Sequence, residues 1–122
     1  MATIKSHEDL IVWNKAMELA ESIYRETATF PVAEQFGLTA QIRRASVSVP
    51  SNIAEGAGRN SSRELYQFLG IAMASLAELR TQIELCRRLG YLHPETRLEA
   101  DSEIVSKLLS TLRKSIHSRI AA

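Results

Sequence analysis

The sequence predicts an all-α fold: a single domain over residues 1–122, built as an antiparallel up-down-up-down four-helix bundle with its second helix kinked at Pro50. Three observations predict it. Apolar residues recur at steps of three and four through four long segments, the period of a helix with one buried face. Helix breakers are few, with 3 prolines and 5 glycines in 122 residues. Two long stretches, Ala45 to Ala54 and Leu65 to Ala77, carry no charge. A helix on the surface of a small monomer alternates wet and apolar faces. Uncharged stretches of this length imply helices buried on more than one side, and in a short chain that means self-association.

The first helix is expected from His7 or Glu8 to Ala28. Leu10, Trp13, Met17, Ala20 and Tyr24 form its stripe, widened by Ala16 and Ile23. Glu8 and Asp9 in the first turn complement the helix dipole. Phe30-Pro31 stops it, because the residue before proline is pushed out of the α region. The second helix begins near Val32 or Leu38, with Leu38, Ile42, Ala45 and Val49 on one face. Pro50 removes a hydrogen bond and clashes with the preceding turn, yet the apolar period continues to Ile53. That reads as a kinked helix ending at Gly56 and Gly58, or else as two helices broken near Val47.

The third helix opens on Ser61-Ser62-Arg63-Glu64, a capping box with Ser61 accepting from the backbone and Glu64 reaching back. Leu65, Leu69, Ala72, Leu76, Leu79, Ile83 and Cys86 follow in strict four-three spacing, a bundle seam. Gly90 ends it as a left-handed cap. The fourth helix is expected from Pro94, a residue suited to the first turn, through Leu98, Val105, Leu109, Leu112, Ile116 and Ile120.

Composition narrows the function. The net charge is +1, too balanced for a domain that binds nucleic acid by bulk charge. One cysteine, Cys86, allows no internal disulfide and fits a reducing cytoplasm. No apolar stretch reaches the length of a membrane span, and Met1 to Asp9 lacks the apolar core of a signal peptide.

Chemistry-bearing motifs are missing. A di-iron bundle needs Glu-x-x-His pairs, but Ile4, Gly90 and Lys114 stand three residues before the histidines. No metal, cofactor or small-molecule ligand is therefore expected, and no catalytic residue. Cys86 reads as a small buried hydrophobe. The glycines at 56 and 58 lack the spacing and the Lys-Ser/Thr ending of a phosphate loop. Asn52 and Glu55 read as structural polar groups, Asn52 meeting carbonyls freed by Pro50 and Glu55 pairing with an arginine.

Charge is distributed unevenly. Residues 1–35 hold six acids against three bases; between Phe36 and Arg63, Arg43, Arg44, Arg59 and Arg63 face Glu55 alone. From Ser106 onward, Lys107, Arg113, Lys114 and Arg119 meet no acid. Such asymmetry builds either a phosphate-binding strip or salt bridges between neighbouring copies. The near-neutral total and the lack of interleaved exposed aromatics favour the salt bridges. For RNA, the expected contacts are Arg43, Arg44, Arg59 and Arg63.

From Glu8 to Leu92 the chain resembles a known family. The matching pieces include Glu8-Asp9-Leu10, Val12-Trp13, Phe30-Pro31, Phe36-Gly37-Leu38, the proline-centred run from Gln41 to Gly56, Gly58-Arg59, Phe68-Leu69 and Leu89-Gly90-Tyr91-Leu92. They are similar to the small bundle proteins encoded within intervening sequences of bacterial 23S ribosomal RNA genes. More distantly, the chain is similar to accessory proteins of diversity-generating retroelements, which bind nucleic acid and a reverse transcriptase. The resemblance implies a ring of five copies and no enzyme. Helices two and three are then expected at the centre of the ring, through Val49, Pro50, Asn52, Ile53, Tyr66, Gly70, Met73, Ala74 and Ala77. Gly70, Ala74 and Ala77 are the small residues expected to admit a neighbouring helix. The alternative partner is another protein, with no nucleic acid bound.

Overall fold

Four long amphipathic segments close into four packed helices. The computed structural model describes residue 7 and residues 10–121. In order these are α1 (Ile11–Thr27), α2 (Leu38–Ala57), α3 (Ser62–Arg88) and α4 (Leu98–Ala121), with a 3-10 turn at Val32–Glu34 before α2. Among the described residues there is no strand. Each helix packs on the next in sequence, and α1 against α4 closes the ring. The core is one continuous cluster in which Ile23, Ile42, Ile53, Leu69, Leu79, Ile83, Leu109 and Ile116 are fully buried.

Two element boundaries differ from expectation. Helix α1 starts at Ile11; the acidic first turn expected at Glu8 and Asp9 lies outside the described residues. Helix α4 starts at Leu98 rather than Pro94. Pro94 instead sits in a turn closed by the Thr96 amide donating to the His93 carbonyl at 3.1 Å. Helix α2 runs through Pro50 as one 20-residue element, not as two helices broken near Val47.

The α1 stripe is displaced by one residue. Val12, Ala16, Leu19, Ala20, Ile23 and Thr27 face the core, while Met17 and Tyr24 remain 37% and 44% exposed. Helix α1 therefore carries two overlapping apolar stripes, and the bundle buries only one.

The caps of α3 follow local rules. Ser61 Oγ accepts from the Glu64 amide at 3.3 Å. The Glu64 carboxylate lies 3.9 Å from Arg59 rather than returning to the cap. At the other end Gly90 has φ of 76°. The Tyr91 amide donates to the Cys86 carbonyl and the Gly90 amide to that of Arg87, the paired bonds of a Schellman motif.

Gly56 lies at a close helix approach. A Cβ there would lie 2.8 Å from Phe68 Cβ and 3.1 Å from Leu65 Cδ1, so the end of α2 meets the start of α3 backbone-close. Halfway along the same pair, Ser48 Oγ and Ser75 Oγ share a hydrogen bond of 2.8 Å. Asn52 Nδ2 donates to the Ser48 carbonyl and hydroxyl. Asn52 thus serves Ser48, not the Ser46 carbonyl that Pro50 leaves without its donor. Glu55 pairs with Arg59 at 2.7 Å, as its arginine-rich surroundings suggested.

Candidate interaction surfaces

The unused stripe of α1 forms one wall of a groove. Trp13, Met17, Ala20 and Tyr24 face Val47, Pro50, Ser51 and Ala54 of α2 across a volume of about 650 Å³. The α2 side chains are short and one turn apart, which keeps the groove open. Pro50, buried itself, supplies part of its floor. At its rim stand Glu21 and Arg25, 3.8 Å apart.

A second groove runs between α3 and α4 and differs in chemistry. Its α4 wall presents Ser110, Arg113, Lys114, His117 and Ser118; its α3 wall presents Tyr66 and Met73. Arg113 lies flat on Tyr66, its Cζ 3.7 Å from the ring centroid, and its Nε donates to the Tyr66 carbonyl at 3.1 Å. The His117 ring stands 5.3 Å from the same Tyr66 ring.

The third cluster ties the α3–α4 connection to the end of α1. Glu26 accepts from the His93 amide at 2.6 Å and its Nδ1 at 2.9 Å. Glu34 accepts from the Tyr91 hydroxyl at 3.0 Å, and the Tyr91 ring packs on Phe30. Arg87 forks onto both oxygens of Glu99 at 2.8 and 2.9 Å, a bidentate geometry that holds the Glu99 carboxyl below its usual range. Beneath them burial, with Glu34 adding, pushes the Cys86 thiol up to about 11. A thiol held protonated is a poor nucleophile, and the hydrogen bonds around it fasten the α3–α4 connection to the end of α1 and the turn after it.

The four arginines expected to contact RNA do not form one patch. Arg43 is committed to its own chain: Nε donates to Thr27 Oγ1 at 2.8 Å, Nη2 to the Tyr24 carbonyl at 3.4 Å, and the guanidinium lies over the Tyr24 ring. It caps the C-terminal end of α1 from outside, where a cation complements the dipole. Arg59 is held by Glu55 and Glu64 over Phe68. Arg44 and Arg63 are exposed, and among the described residues neither has an ion-pair partner. Arg44 and Arg59 lie near opposite ends of α2, about 20 Å apart along its axis at 1.5 Å per residue.

The expected interface residues also divide. Val49 and Ile53, at 1% and 0% exposure, belong to the protomer's own core and offer no surface to a neighbour. Asn52 is half-buried against Ser48. Tyr66, Gly70 and Met73 face α4: the space at Gly70 is filled by Arg113 of the same chain, not left for a second copy. Ala74 and Ala77, with Ile71, are exposed on the outer side of α3. Sequence reasoning missed Met17 and Tyr24 as groove residues by assigning them to the core, while Trp13 lines the groove and also packs against the core as its stripe implied. It counted the basic run after Ser106 but named no site there; the signal was the lack of any acid from that point on.

Among the described residues no group of three or more His, Cys, Asp and Glu side chains is gathered to hold a metal, and no helix is long and apolar enough to cross a membrane.

A model of the 23S rRNA-intervening sequence proteins matches residues 8–111. No curated protein matches the chain. A crystal structure with the same fold is that of a protein of unknown function from the S23 ribosomal protein family of Bacteroides thetaiotaomicron. It has 27% identity and a TM-score of 0.77, covering 85% of this chain and 96% of that one. The four-helix architecture and the family match over most of its length agree: the chain belongs to the 23S rRNA-intervening sequence protein family.

Proposed function

We propose that the protein is a non-enzymatic interaction module that assembles with copies of itself in the reducing cytoplasm, its α1/α2 groove receiving a neighbouring copy. The observation that carries this reading is the second apolar stripe of α1, with Met17, Tyr24 and Val47 exposed along one continuous groove. Soluble monomers rarely leave such a surface uncovered. The neighbour supplies its own apolar face, Ile71, Ala74 and Ala77 on the outer side of α3. The acid-rich first third and the basic end of the chain give each copy segments of opposite sign that neighbouring copies can pair. A head-to-tail ring would cover the groove on every copy, and the resemblance read from the sequence implies five copies.

Native mass measurement at micromolar concentration tests this. A mass of five chains is the expected result, and Met17→Glu with Tyr24→Glu should reduce it to one. A stable wild-type monomer overturns the reading; a dimer keeps the interface and removes the ring.

A second reading, nucleic-acid binding, is supported by Arg113 and Lys114 of α4, which line the α3/α4 groove with no carboxylate on its walls. Without it the module is a protein–protein scaffold alone.

A further inference from the structure

We propose that the α3/α4 groove is a binding site for the phosphodiester backbone of a polynucleotide, with Arg113 and Lys114 as the phosphate contacts. This takes its ligand class from the nucleic-acid reading above but moves the contact away from the four arginines the sequence suggested.

The case rests on Arg113. Its side chain is half-buried, stacked on Tyr66 and anchored through Nε to the Tyr66 carbonyl. Among the described residues no carboxylate and no other acceptor meets its Nη groups. A guanidinium held in place with no protein acceptor on its Nη groups can meet an oxyanion entering the groove. Gly70 makes that placement possible, since any Cβ there would meet the guanidinium.

The surroundings agree. The groove, about 470 Å³, is lined by Lys114, His117 and two serine hydroxyls, with no carboxylate on either wall. Its α4 residues span positions 110 to 118, about 12 Å of helix, enough to follow more than one phosphate. Arg113 covers one face of Tyr66 and His117 packs beside it, so the ring offers no free platform for a base. The site therefore reads backbone, not sequence. An acidic peptide would carry similar charge, but a stable peptide contact adds apolar anchors, and only Tyr66 and Met73 are present, the former already covered.

Fluorescence anisotropy with labelled polyuridylate, titrated over a range of salt, tests the proposal. Arg113→Gln/Lys114→Gln should weaken binding about tenfold at low salt and flatten the slope of log K against log salt by about 1.4, near 0.7 for each single-strand phosphate contact. Arg113 also braces α3 against α4, so Lys114→Gln alone, at an exposed position, serves as the second variant and should flatten the slope by about 0.7. Arg44→Gln/Arg63→Gln should bind as wild type. Full affinity in both groove variants with loss in the Arg44/Arg63 variant overturns the groove and leaves the nucleic-acid reading standing. No wild-type binding to polyuridylate at low salt overturns both. Capture of polyglutamate in preference to polyuridylate assigns the groove to an acidic protein and overturns the proposal.

Discussion

The guanidinium of Arg113 on α4 occupies the space that a side chain at Gly70 on α3 would fill. A Cβ at position 70 would stand 2.7 Å from Nη2 and 3.2 Å from Cζ. Glycine in a helix interior is about 1 kcal/mol worse than alanine, and the Arg113 guanidinium packed against position 70 offers a reason for it there.

The two residues should therefore be energetically coupled. In an Arg113→Ala background, Gly70→Ala should stabilise by about 0.5–1 kcal/mol through helix propensity alone. In the wild-type background the gain should vanish, because the guanidinium must leave Tyr66. A double-mutant cycle from urea unfolding reads the difference, about 1 kcal/mol. Equal effects in both backgrounds would dissolve the link.

Gly56→Ala should behave in the opposite way to its helix propensity. The new methyl meets Phe68 Cβ at 2.8 Å, a neighbour close to the backbone that cannot swing aside. Overpacking of this kind costs about 1–3 kcal/mol. A rise in the unfolding midpoint would show that α2 and α3 can separate at this point without penalty.

Leu76 and Leu79, at 2% and 0% exposure, sit in the α3 seam. Alanine at either should cost about 2–5 kcal/mol by leaving a cavity. An unchanged denaturation midpoint for both variants would place the seam elsewhere.

Cys86 should make the fold sensitive to alkali. Its thiol holds its proton up to about pH 11 in the native state, against ~8.5 in an unfolded chain. Because the native pKa is the higher one, the contribution is complete below the unfolded value and is lost as pH rises through the native value. Stability should fall by up to about 1.4 kcal/mol per pH unit across that interval. Comparing Cys86→Ala with wild type separates this loss from lysine and tyrosine titration. Identical alkaline profiles would mean that the thiol ionises freely in the folded protein.

Helix α3 was legible almost residue by residue, because its signals are local. The Ser61 cap, the four-three seam and the positive φ of Gly90 depend only on neighbours within a turn or two. Helix α1 was legible as a helix but not in phase. Val12/Ala16/Leu19/Ile23 and Trp13/Met17/Ala20/Tyr24 satisfy the same period, and only packing against α2 and α4 selects between them. The surfaces were least legible. Whether Arg43 is available to a partner depends on Thr27, 16 residues earlier, and whether Gly70 is open depends on Arg113, 43 residues later. Local charge counts cannot carry that information. In α4 Pro94 misled because proline suits a turn as well as a helix start.

The serine pair between α2 and α3 has a consequence for how this chain avoids ambiguity. An apolar seam with a four-three repeat is nearly indifferent to sliding: moved by seven residues, about 10 Å, leucine again meets alanine or isoleucine. Ser48 and Ser75, bonded at 2.8 Å with Asn52 donating to Ser48, break that indifference, since the shift separates the two hydroxyls and loses the bond between them. Like a detent on a sliding rule, the pair adds little strength but admits one alignment of the α2–α3 hairpin, and any surface assembled across that hairpin inherits its alignment from there.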